Sequence, residues 1–280
     1  MVTLALLATT AVWGWTFALV KDALGEVGPL WFLSLRFTLA AVLALPLVRG
    51  RPEARSRRNW ARGLKLGAVL FGGYFFQTWG LVHTTAQKSG LITGLSVVLV
   101  PLVAWALGGR RPGRQTWLGV ALAGGGVSLL ALGGEGLAGG SWFGDLLTVF
   151  CAIAFALHLV LLDRYAKAGD YRALLPPKIG LVALLSLAGA GLGGEVTFAF
   201  STQVWMTVGI TAALATTGAF AVVLWAGRRA TASRMAIVLA MEPVFAGLFG
   251  WWLLGEVLLP LQIGGGVLVL AGILSQRPGR

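Results

Sequence analysis

Ten apolar runs, each about as long as a membrane is thick, constrain the fold of this chain more than any other feature. A helix needs about 20 mostly apolar residues to cross a bilayer core of about 30 Å. No run alternates between apolar and polar residues over about ten positions, so a β-barrel is not expected. We therefore predict an all-α integral membrane protein with ten transmembrane helices. The predicted spans are residues 2–20, 29–48, 63–82, 87–107, 115–132, 143–162, 173–192, 204–225, 233–254 and 258–275.

The composition also indicates a chain that lies in a lipid bilayer. Hydrophobic residues make up 57% of the 280 residues and charged residues only 11%, against about 25% charged in soluble domains. The 41 glycines are typical of membrane helices that pack closely through small residues, and we expect such contacts at Gly119, Ala123 and residues 264–266. The single cysteine, Cys151, and the two histidines argue against a disulfide and a metal cage, so neither a metal nor a cofactor is predicted.

Basic residues are concentrated in alternate connections. Cytoplasmic loops of membrane proteins carry an excess of Lys and Arg, so the pattern predicts that both termini are cytoplasmic and that the chain lies in the cytoplasmic membrane. Topology thus explains the net charge of +12, and no nucleic-acid partner is expected. Eighteen of the 22 basic residues follow even-numbered spans: Arg49, Arg51, Arg55, Arg57, Arg58, Arg62, Lys65, Arg110, Arg111, Arg114, Arg164, Lys167, Arg172, Arg228, Arg229, Arg234, Arg277 and Arg280.

The chain contains a weak internal repeat. A shift of 145 residues brings residues 116–134 near 261–279 and lays 104–111 on 249–256 without gaps. We predict two halves of five spans each, residues 1–135 and 136–280, within one membrane-embedded unit. Because five is odd, the second half must be inverted relative to the first. Inverted repeats are typical of secondary transporters, in which one half rocks against the other around a central site.

Two prolines fall within corresponding spans of the two halves. Pro101 is predicted to interrupt span four and Pro243 to interrupt span nine, although the repeat places Pro243 opposite Val98. Each proline leaves the carbonyl four residues earlier without its helical partner, and at membrane depth such a carbonyl needs protein or a wet cavity. Paired interruptions of this kind point to a transporter site. A simple kink that improves packing is the alternative.

Five segments share their order and spacing with a known family. They are WGWTFALVKDAL (13–24), LRFTLAA (35–41), QTWGLVHTTAQKSGLITGLSVVLVPL (77–102), FGDLLTVFCAIAFALHLVLLDRYA (143–166) and MEPVFAGLFGWWLLGEVLLPLQIGGGVLVLAG (241–272). By these segments the chain resembles the EamA-like family of the drug/metabolite transporter superfamily over nearly its whole length. One departure is GGRRP (108–112), where the family often has Gly-Glu after span four, so no role is assigned to a first-half carboxylate there.

The resemblance implies a ten-helix carrier with inverted repeats and a central cavity. It also implies movement of small organic metabolites or drugs, often outward, by alternating access. Amino acids, nucleosides, sugar derivatives and toxic cations all occur as substrates in such a family, so the resemblance does not select one of them. Coupling to protons is a further expectation, and the lipid bilayer is the surrounding partner.

Ionisable groups within spans are rare and expensive, so each is a candidate for function. Glu242 is a candidate ligand for a substrate amine or a proton carrier; alternatively, it caps backbone groups freed at Pro243 or pairs with Arg36. Arg36 is a candidate for a substrate carboxylate or phosphate, or else a fixed ion-pair partner. Lys88, near the outer mouth of span four, is a gate candidate, or else its ammonium extends to the lipid headgroups.

Other candidates for the substrate pathway are uncharged at neutral pH. Histidine is the residue type that ordinarily titrates near neutrality, so His158 is a candidate for a proton or substrate role, or else a packing residue. An apolar pocket with a few convergent polar groups is the usual form of a small-molecule site. Ordinary hydrogen bonding between helices is the alternative role for these side chains. The remaining pathway candidates are Trp13, Tyr74, Gln77, Thr93 and Ser96.

Three classes of function follow from these features. A secondary transporter is favoured, and since the sequence carries no ATP-binding motif, its energy must come from an ion or substrate gradient, unless transport is downhill. A membrane-embedded hydrolase using Ser96 and His158 is an alternative, but GLSV (94–97) lacks the glycine that a nucleophile elbow places after the serine. A passive channel is the third class. We predict a transporter and not an enzyme.

Overall fold

The computed structural model describes residues 1–132, 141–168, 170–254 and 259–275, and within them the chain forms thirteen α-helices. The predicted boundary between the halves, at residues 135 and 136, lies outside the described residues, as do Arg277 and Arg280. The helices are α1 (Val2–Ala23), α2 (Pro29–Ala44), α3 (Arg57–His83), α4 (Ala86–Gly94), α5 (Ser96–Ala106), α6 (Arg114–Leu132), α7 (Trp142–Ala166), α8 (Leu175–Leu192), α9 (Thr202–Ile210), α10 (Ala219–Gly227), α11 (Ala232–Leu239), α12 (Glu242–Leu254) and α13 (Pro260–Leu274).

These helices line up as ten rods, of which three consist of two helices each. The double rods are α4 with α5, α9 with α10, and α11 with α12. A π-helical segment, Thr211–Gly218, joins α9 to α10. Each rod corresponds to one of the ten runs that the sequence predicts as spans.

Seven rods are long and apolar enough to cross a membrane, judged by length and composition. The other rods are α3, α6 and α13. α13 is apolar but 15 residues long, and α3 begins with two arginines, Arg57 and Arg58. Bulky apolar side chains such as Trp142, Leu192 and Leu274 are exposed, as expected of a surface that faces lipid. The chain is an all-helical, multi-pass membrane protein, in which seven of the ten predicted spans meet this criterion over the described residues.

The break in span four does not lie at the proline. α4 ends at Gly94 and α5 begins at Ser96, so the helix is interrupted at Leu95, whereas Pro101 lies within α5. The prediction that Pro101 interrupts this span is therefore wrong. Proline removes a single backbone donor, and α5 continues through it. Gly94, with its low helix propensity, ends α4 instead.

The break in span nine lies at the equivalent place in the second half. α11 ends at Leu239, and its cap residue, Ala240, follows Leu95 by 145 residues. The two caps have nearly the same dihedral angles: φ −63°, ψ −13° at Leu95 and φ −63°, ψ −7° at Ala240. Pro243 is the second residue of α12, where a missing N–H costs little. The breaks, and not the prolines, therefore follow the repeat distance read from the sequence.

Close backbone contacts join α6 to α13. A Cβ atom on Gly126 would lie 2.5 Å from the carbonyl oxygen of Gly265, and one on Gly265 would lie 2.6 Å from that of Gly126. A Cβ atom on Gly272 would lie 3.0–3.3 Å from atoms of Gly119 and Ala123. The close helix contacts predicted at Gly119, Ala123, Gly265 and Gly266 are confirmed, since only small residues permit this approach. The one predicted at Gly264 is wrong, because a Cβ atom there would have no atom within 4 Å.

Two carboxylates connect loops from the first and second parts of the chain. Glu195 Oε2 accepts from the backbone N–H groups of Leu30 (2.8 Å) and Trp31 (3.1 Å) at the start of α2, where an anion is favourable. Glu26 accepts from the backbone N–H and the hydroxyl of Ser201, both at 2.8 Å. These bonds hold the pKa of Glu26 below its usual value. Both contacts thus stabilise the packing of α2 against the connection that precedes α9.

Candidate functional site

A cavity of about 1000 Å³, including its open mouth, lies between α1–α5 on one side and α7, α10, α11 and α12 on the other. Arg36 contributes to the wall, whereas Lys88, Pro101 and Pro243 do not. The wall contains all seven residues predicted for the substrate pathway: Trp13, Tyr74, Gln77, Thr93, Ser96, His158 and Glu242.

Both helix breaks open onto this cavity. Thr93, Gly94 and Ser96 line it beside the first break, and Ala240 and Glu242 line it beside the second. A helix break leaves backbone groups without intrahelical partners, and at membrane depth they need a polar or wet surrounding. The two breaks therefore supply polar groups to one place in an otherwise apolar bundle.

The breaks also lie close to each other. A Cβ atom on Gly94 would be 3.5 Å from Pro243 Cγ, which is ordinary van der Waals contact. α12 packs in turn on α1, because Gly14 leaves room for the backbone of Glu242: a Cβ atom on Gly14 would lie 2.8 Å from the Glu242 carbonyl oxygen. Small residues thus bring both interrupted helices to the cavity.

Aromatic rings form much of the wall. The Tyr74 ring packs edge-to-face against Phe37 (4.9 Å between centroids), Phe155 (5.4 Å) and Phe220 (6.3 Å), and Trp13 packs against Phe220 at 6.0 Å. Sequence reasoning missed Phe155 and Phe220, both of which line the cavity. Nothing in the sequence separates these two from the other phenylalanines, because an aromatic residue in an apolar span is compatible with lipid, core or cavity.

Arg36 binds neutral groups. Its Nε donates to Thr216 Oγ1 at 2.8 Å and its Nη2 to the Tyr74 hydroxyl at 3.4 Å. The guanidinium lies 4.9 Å from the centroid of the Tyr74 ring, a cation–π contact. The expected ion pair with Glu242 is not formed among the described residues. Hydroxyls and rings take the place of a carboxylate, because Arg36 stacks on α3 and bonds to the π segment.

Glu242 is the first residue of α12 and is half-buried in the cavity wall. Over the described part of the chain its carboxylate makes neither an ion pair nor a side-chain hydrogen bond. The expectation that it caps backbone groups freed near Pro243 is therefore not met. The carboxylate faces the cavity, where water or a solute can reach it.

Two buried nitrogen atoms beside the cavity have no hydrogen-bond partner among the described residues. They are His158 Nε2 and Lys178 Nζ. The His158 ring centroid lies 6.0 Å from that of Phe220, and Lys178 Nζ lies 3.8 Å from the same ring. Lys178 was not predicted as a site residue, although its signal, an ionisable side chain within a span, is the one that selected Arg36.

Trp13 supports the π segment. The backbone N–H of Ala219, at the end of this segment, donates to the carbonyls of both Leu214 and Thr216 and passes over that of Ala215. Trp13 Nε1 donates to that Ala215 carbonyl at 2.8 Å. A π-helical insertion is frequent at functional sites. Here a cavity-lining side chain of α1 satisfies the carbonyl that the insertion frees.

Lys88 makes a salt bridge. Its Nζ lies 2.6 Å from Asp145 Oδ2 in the first turn of α7, and Thr84 Oγ1 donates to Asp145 Oδ1 at 2.8 Å. The lysine side chain is 14% exposed, so the expectation that it extends to the lipid headgroups is wrong. The carboxylate of α7 holds it instead, and the pair connects α4 to α7.

The chain matches known proteins in both sequence and fold. The model of the EamA-like transporter family matches residues 1–132 and 142–275, so each part of the chain is matched separately. One crystal structure of a protein superposes with a TM-score of 0.80 at 21% sequence identity, covering 98% of this chain and 95% of that one. At this identity the likeness concerns the fold alone.

Several curated proteins are similar in sequence. An uncharacterized transporter of Archaeoglobus fulgidus is 32% identical over 97% of this chain and 84% of its own length. The uncharacterized inner membrane transporter YedA of Escherichia coli is 27% identical, over 96% and 89%. The aromatic amino acid exporter YddG of Ancylobacter novellus is 30% identical, over 71% and 69%. With both of its parts matched by one family model, the chain belongs to the EamA-like transporter family and is a transporter, not an enzyme.

Proposed function

We propose that this protein moves small organic solutes with an aromatic or apolar body and a polar head outward across the cytoplasmic membrane. Amino acids or related compounds, or drugs, are the solutes expected. The observation that carries the proposal is the cavity, in which all seven pathway candidates meet. A site with many apolar groups and few polar ones selects solutes of that form.

Aromatic amino acids are the first solutes to test. The rings of Trp13, Tyr74, Phe155 and Phe220 surround the cavity, and aromatic pairs gain about 0.5–1.5 kcal/mol beyond their buried area. One relative carries the name aromatic amino acid exporter. Arg36 and Glu242 in the wall match the carboxylate and the amine of such a solute.

Alternating access between two inverted five-helix halves, residues 1–135 and 136–280, is the proposed mechanism. It is supported by helix breaks 145 residues apart that meet at the cavity and by the lining drawn from both halves. Transporters with inverted repeats bind solutes at broken helices near the membrane midplane. The basic residues after even-numbered spans favour cytoplasmic termini.

Proton coupling through Glu242 and His158 is part of the proposal. Both side chains line the cavity, and the nitrogen atom His158 Nε2 is left without a hydrogen bond among the described residues. A group that carries a proton must meet the solute pathway and must not be fixed in an ion pair. Glu242 meets both conditions.

Counterflow in liposomes tests the transport function. The purified full-length protein is reconstituted, and uptake of labelled aromatic amino acids, nucleosides and cationic drugs is compared with protein-free liposomes, with and without a pH gradient. We expect exchange of an aromatic amino acid. Phe155→Ala should weaken that exchange about threefold or more, whereas Phe150→Ala, on the exposed face of the same helix, should not. Equal effects of the two changes would argue against solute binding in this cavity.

A further inference from the structure

A second buried cation adjoins the cavity and has no role in the function proposed above. Lys178, in α8, is fully buried, with 0% of its surface exposed. Its Nζ lies 3.8 Å from the centroid of the Phe220 ring. Phe220 lines the cavity and Lys178 does not, so the ring lies between the ammonium and the cavity.

The surroundings of Lys178 supply it with no counterion among the described residues. No carboxylate there forms an ion pair with it, and its Nζ has no hydrogen-bond acceptor there. Burial of an unpaired ammonium is costly and a cation–π contact offsets only part of that cost, so the charged form of the amine is stabilised when an anion reaches it. The polar groups that pack on the same ring, Tyr74 in α3 and His158 in α7, supply no anion. An anionic group that reached Lys178 would be strongly attracted.

Arg36 and Lys178 lie in corresponding helices of the internal repeat. Arg36 in α2 lies over the Tyr74 ring of α3, and Lys178 in α8 lies over the Phe220 ring of α10. The 145-residue shift that relates the helix breaks relates α2 to α8 and α3 to the rod of α9 and α10. It carries Arg36 to within one helical turn of Lys178 and Tyr74 to the residue next to Phe220. A basic side chain over an aromatic ring therefore occurs in the corresponding helices of each half.

We propose that Arg36 and Lys178 bind the carboxylate of the transported molecule in turn, one in each of the two facing states. In the present conformation Arg36 lines the cavity and Phe220 covers Lys178. When the halves exchange their conformations, Phe220 turns away and Lys178 lines the cavity, while Tyr74 covers Arg36. This inference rests on the proposed function, because inverted repeats exchange conformations only in alternating access.

The π segment gives Phe220 a means to turn. It ends at Gly218, two residues before Phe220. Its hydrogen bonds join residues five apart instead of four, so each hydrogen-bonded turn contains one more residue than in an α-helix. Its conversion to α-helix would rotate the residues that follow by about 100°. Trp13 and Arg36 both donate hydrogen bonds to this segment, at Ala215 and Thr216. A solute that contacts these side chains therefore acts on the segment, and through it on the Phe220 ring that covers Lys178.

Two related probes separate a carboxylate site from a structural lysine. Indole-3-propionate carries a carboxylate without an amine, and tryptamine carries an amine without a carboxylate. Exchange of each is measured in liposomes with the full-length protein, Lys178→Met, Lys178→Arg and Lys167→Met. The last is a matched control, because Lys167 is 44% exposed at the end of α7.

We expect Lys178→Met to lower exchange of indole-3-propionate about tenfold or more, since a lost charge pair costs about 2–5 kcal/mol, and to leave exchange of tryptamine within about twofold. Lys178→Arg should retain the exchange of both probes, and Lys167→Met should exchange them as the unchanged protein does. Exchange of both probes by Lys178→Met at the original rates, or a proportional loss of both, would overturn the inference.

Failure of the proposed function gives a different result. The transport proposal fails if the unchanged protein exchanges neither aromatic amino acids nor either probe. Whenever it exchanges neither probe, thermal unfolding of the purified protein decides the anion inference. Stabilisation by indole-3-propionate but not by tryptamine, reduced in Lys178→Met, supports anion binding at Lys178. Stabilisation that is absent, or equal in both proteins, refutes it.

Discussion

Single side chains in the cavity wall differ in whether their polar atoms are satisfied. Arg36 is held by Thr216 and Tyr74, and Trp13 by Ala215. Glu242 makes no ion pair over the described residues, and His158 Nε2 has no hydrogen bond there. The bonds of Arg36 and Trp13 fix the shape of the wall, but they use only two of the five N–H donors of Arg36, so its guanidinium can still meet a solute carboxylate. Unsatisfied groups are free to bind a solute or a proton, because no protein bond has to break first.

Glu242 is the residue at which this difference is simplest to test. We expect Glu242→Gln to fold normally and to change the pH dependence of transport, because an amide of the same shape cannot take up and release a proton. Initial rates of exchange over a series of pH values measure the effect. Glu53→Gln, an exposed change in the connection between α2 and α3, should leave the profile as it is. If the Glu242→Gln protein keeps the original pH profile, Glu242 is reduced to a structural residue.

Among the elements, all three rods with irregular backbone adjoin the cavity. Helix breaks at Leu95 and Ala240 and the π segment before Phe220 all lie at or next to lining residues. The regular helices α6 and α13 do not contribute to the wall. Irregular backbone in a membrane has to be satisfied by polar surroundings, so these elements and the cavity depend on each other.

The π segment depends on the indole of Trp13. Trp13→Phe keeps a ring in the wall but removes the donor to the Ala215 carbonyl. An acceptor left unsatisfied in a buried place costs about 1–3 kcal/mol, so the melting temperature should fall. Trp60→Phe is a fair control, because Trp60 also donates to a backbone carbonyl, that of Ala54, but is 47% exposed. An equal melting temperature for Trp13→Phe and the unchanged protein would show that the segment holds without this bond.

Adjacent glycines in α6 provide a matched pair of changes. A Cβ atom on Gly126 would lie 2.5 Å from the Gly265 carbonyl oxygen, whereas one on Gly125 would have no atom within 4 Å. Gly126→Ala should therefore destabilise the protein by about 1–3 kcal/mol through overpacking. Gly125→Ala should be neutral or stabilising, by up to about 1 kcal/mol from helix propensity. Reversible unfolding in detergent measures both, and a Gly126→Ala protein as stable as Gly125→Ala would contradict the contact.

At the scale of the whole molecule, contacts between the first and second parts of the chain hold the bundle together. Backbone contacts join α6 to α13, the Lys88–Asp145 pair joins α4 to α7, and Glu195 caps α2 from the connection after α8. None of these contacts lies in the cavity wall. These three contacts therefore stabilise the bundle without occupying the surface that faces a solute.

The Glu26–Ser201 contact gives the assembled molecule a pH-dependent stability. Because hydrogen bonds lower the pKa of Glu26 in the folded protein, they stabilise it at pH values above the unfolded pKa of about 4.3. This contribution is lost as the pH falls through the lower, folded pKa. Glu26→Gln should melt below the unchanged protein at pH 7, and the difference should shrink on acidification. Ser201→Ala should remove the same pH-dependent part. A difference that does not vary with pH would contradict this origin.

The helical rods and the cavity residues follow from the sequence more directly than the ion-pair and packing partners of those residues. Rare polar groups in apolar runs identified Glu242 and His158 because burial of such groups is expensive wherever they lie. The sequence predicts a break at Pro101, because proline is the stronger local signal. The helix is interrupted at Leu95 instead, where a glycine and the cavity coincide. The Arg36–Glu242 pair failed because opposite charge does not fix distance. Nothing in the sequence marks Phe220 as a cavity residue, because it is one of several aromatic residues in apolar runs.

The contact between α6 and α13 limits how the protein can move. Their backbones touch at Gly126 and Gly265, where added Cβ atoms would lie 2.5–2.6 Å from the facing carbonyl oxygens. Sliding or separation there would expose bare peptide groups to lipid. We therefore expect these two helices to move as one unit, with larger displacements in the helices farthest from them.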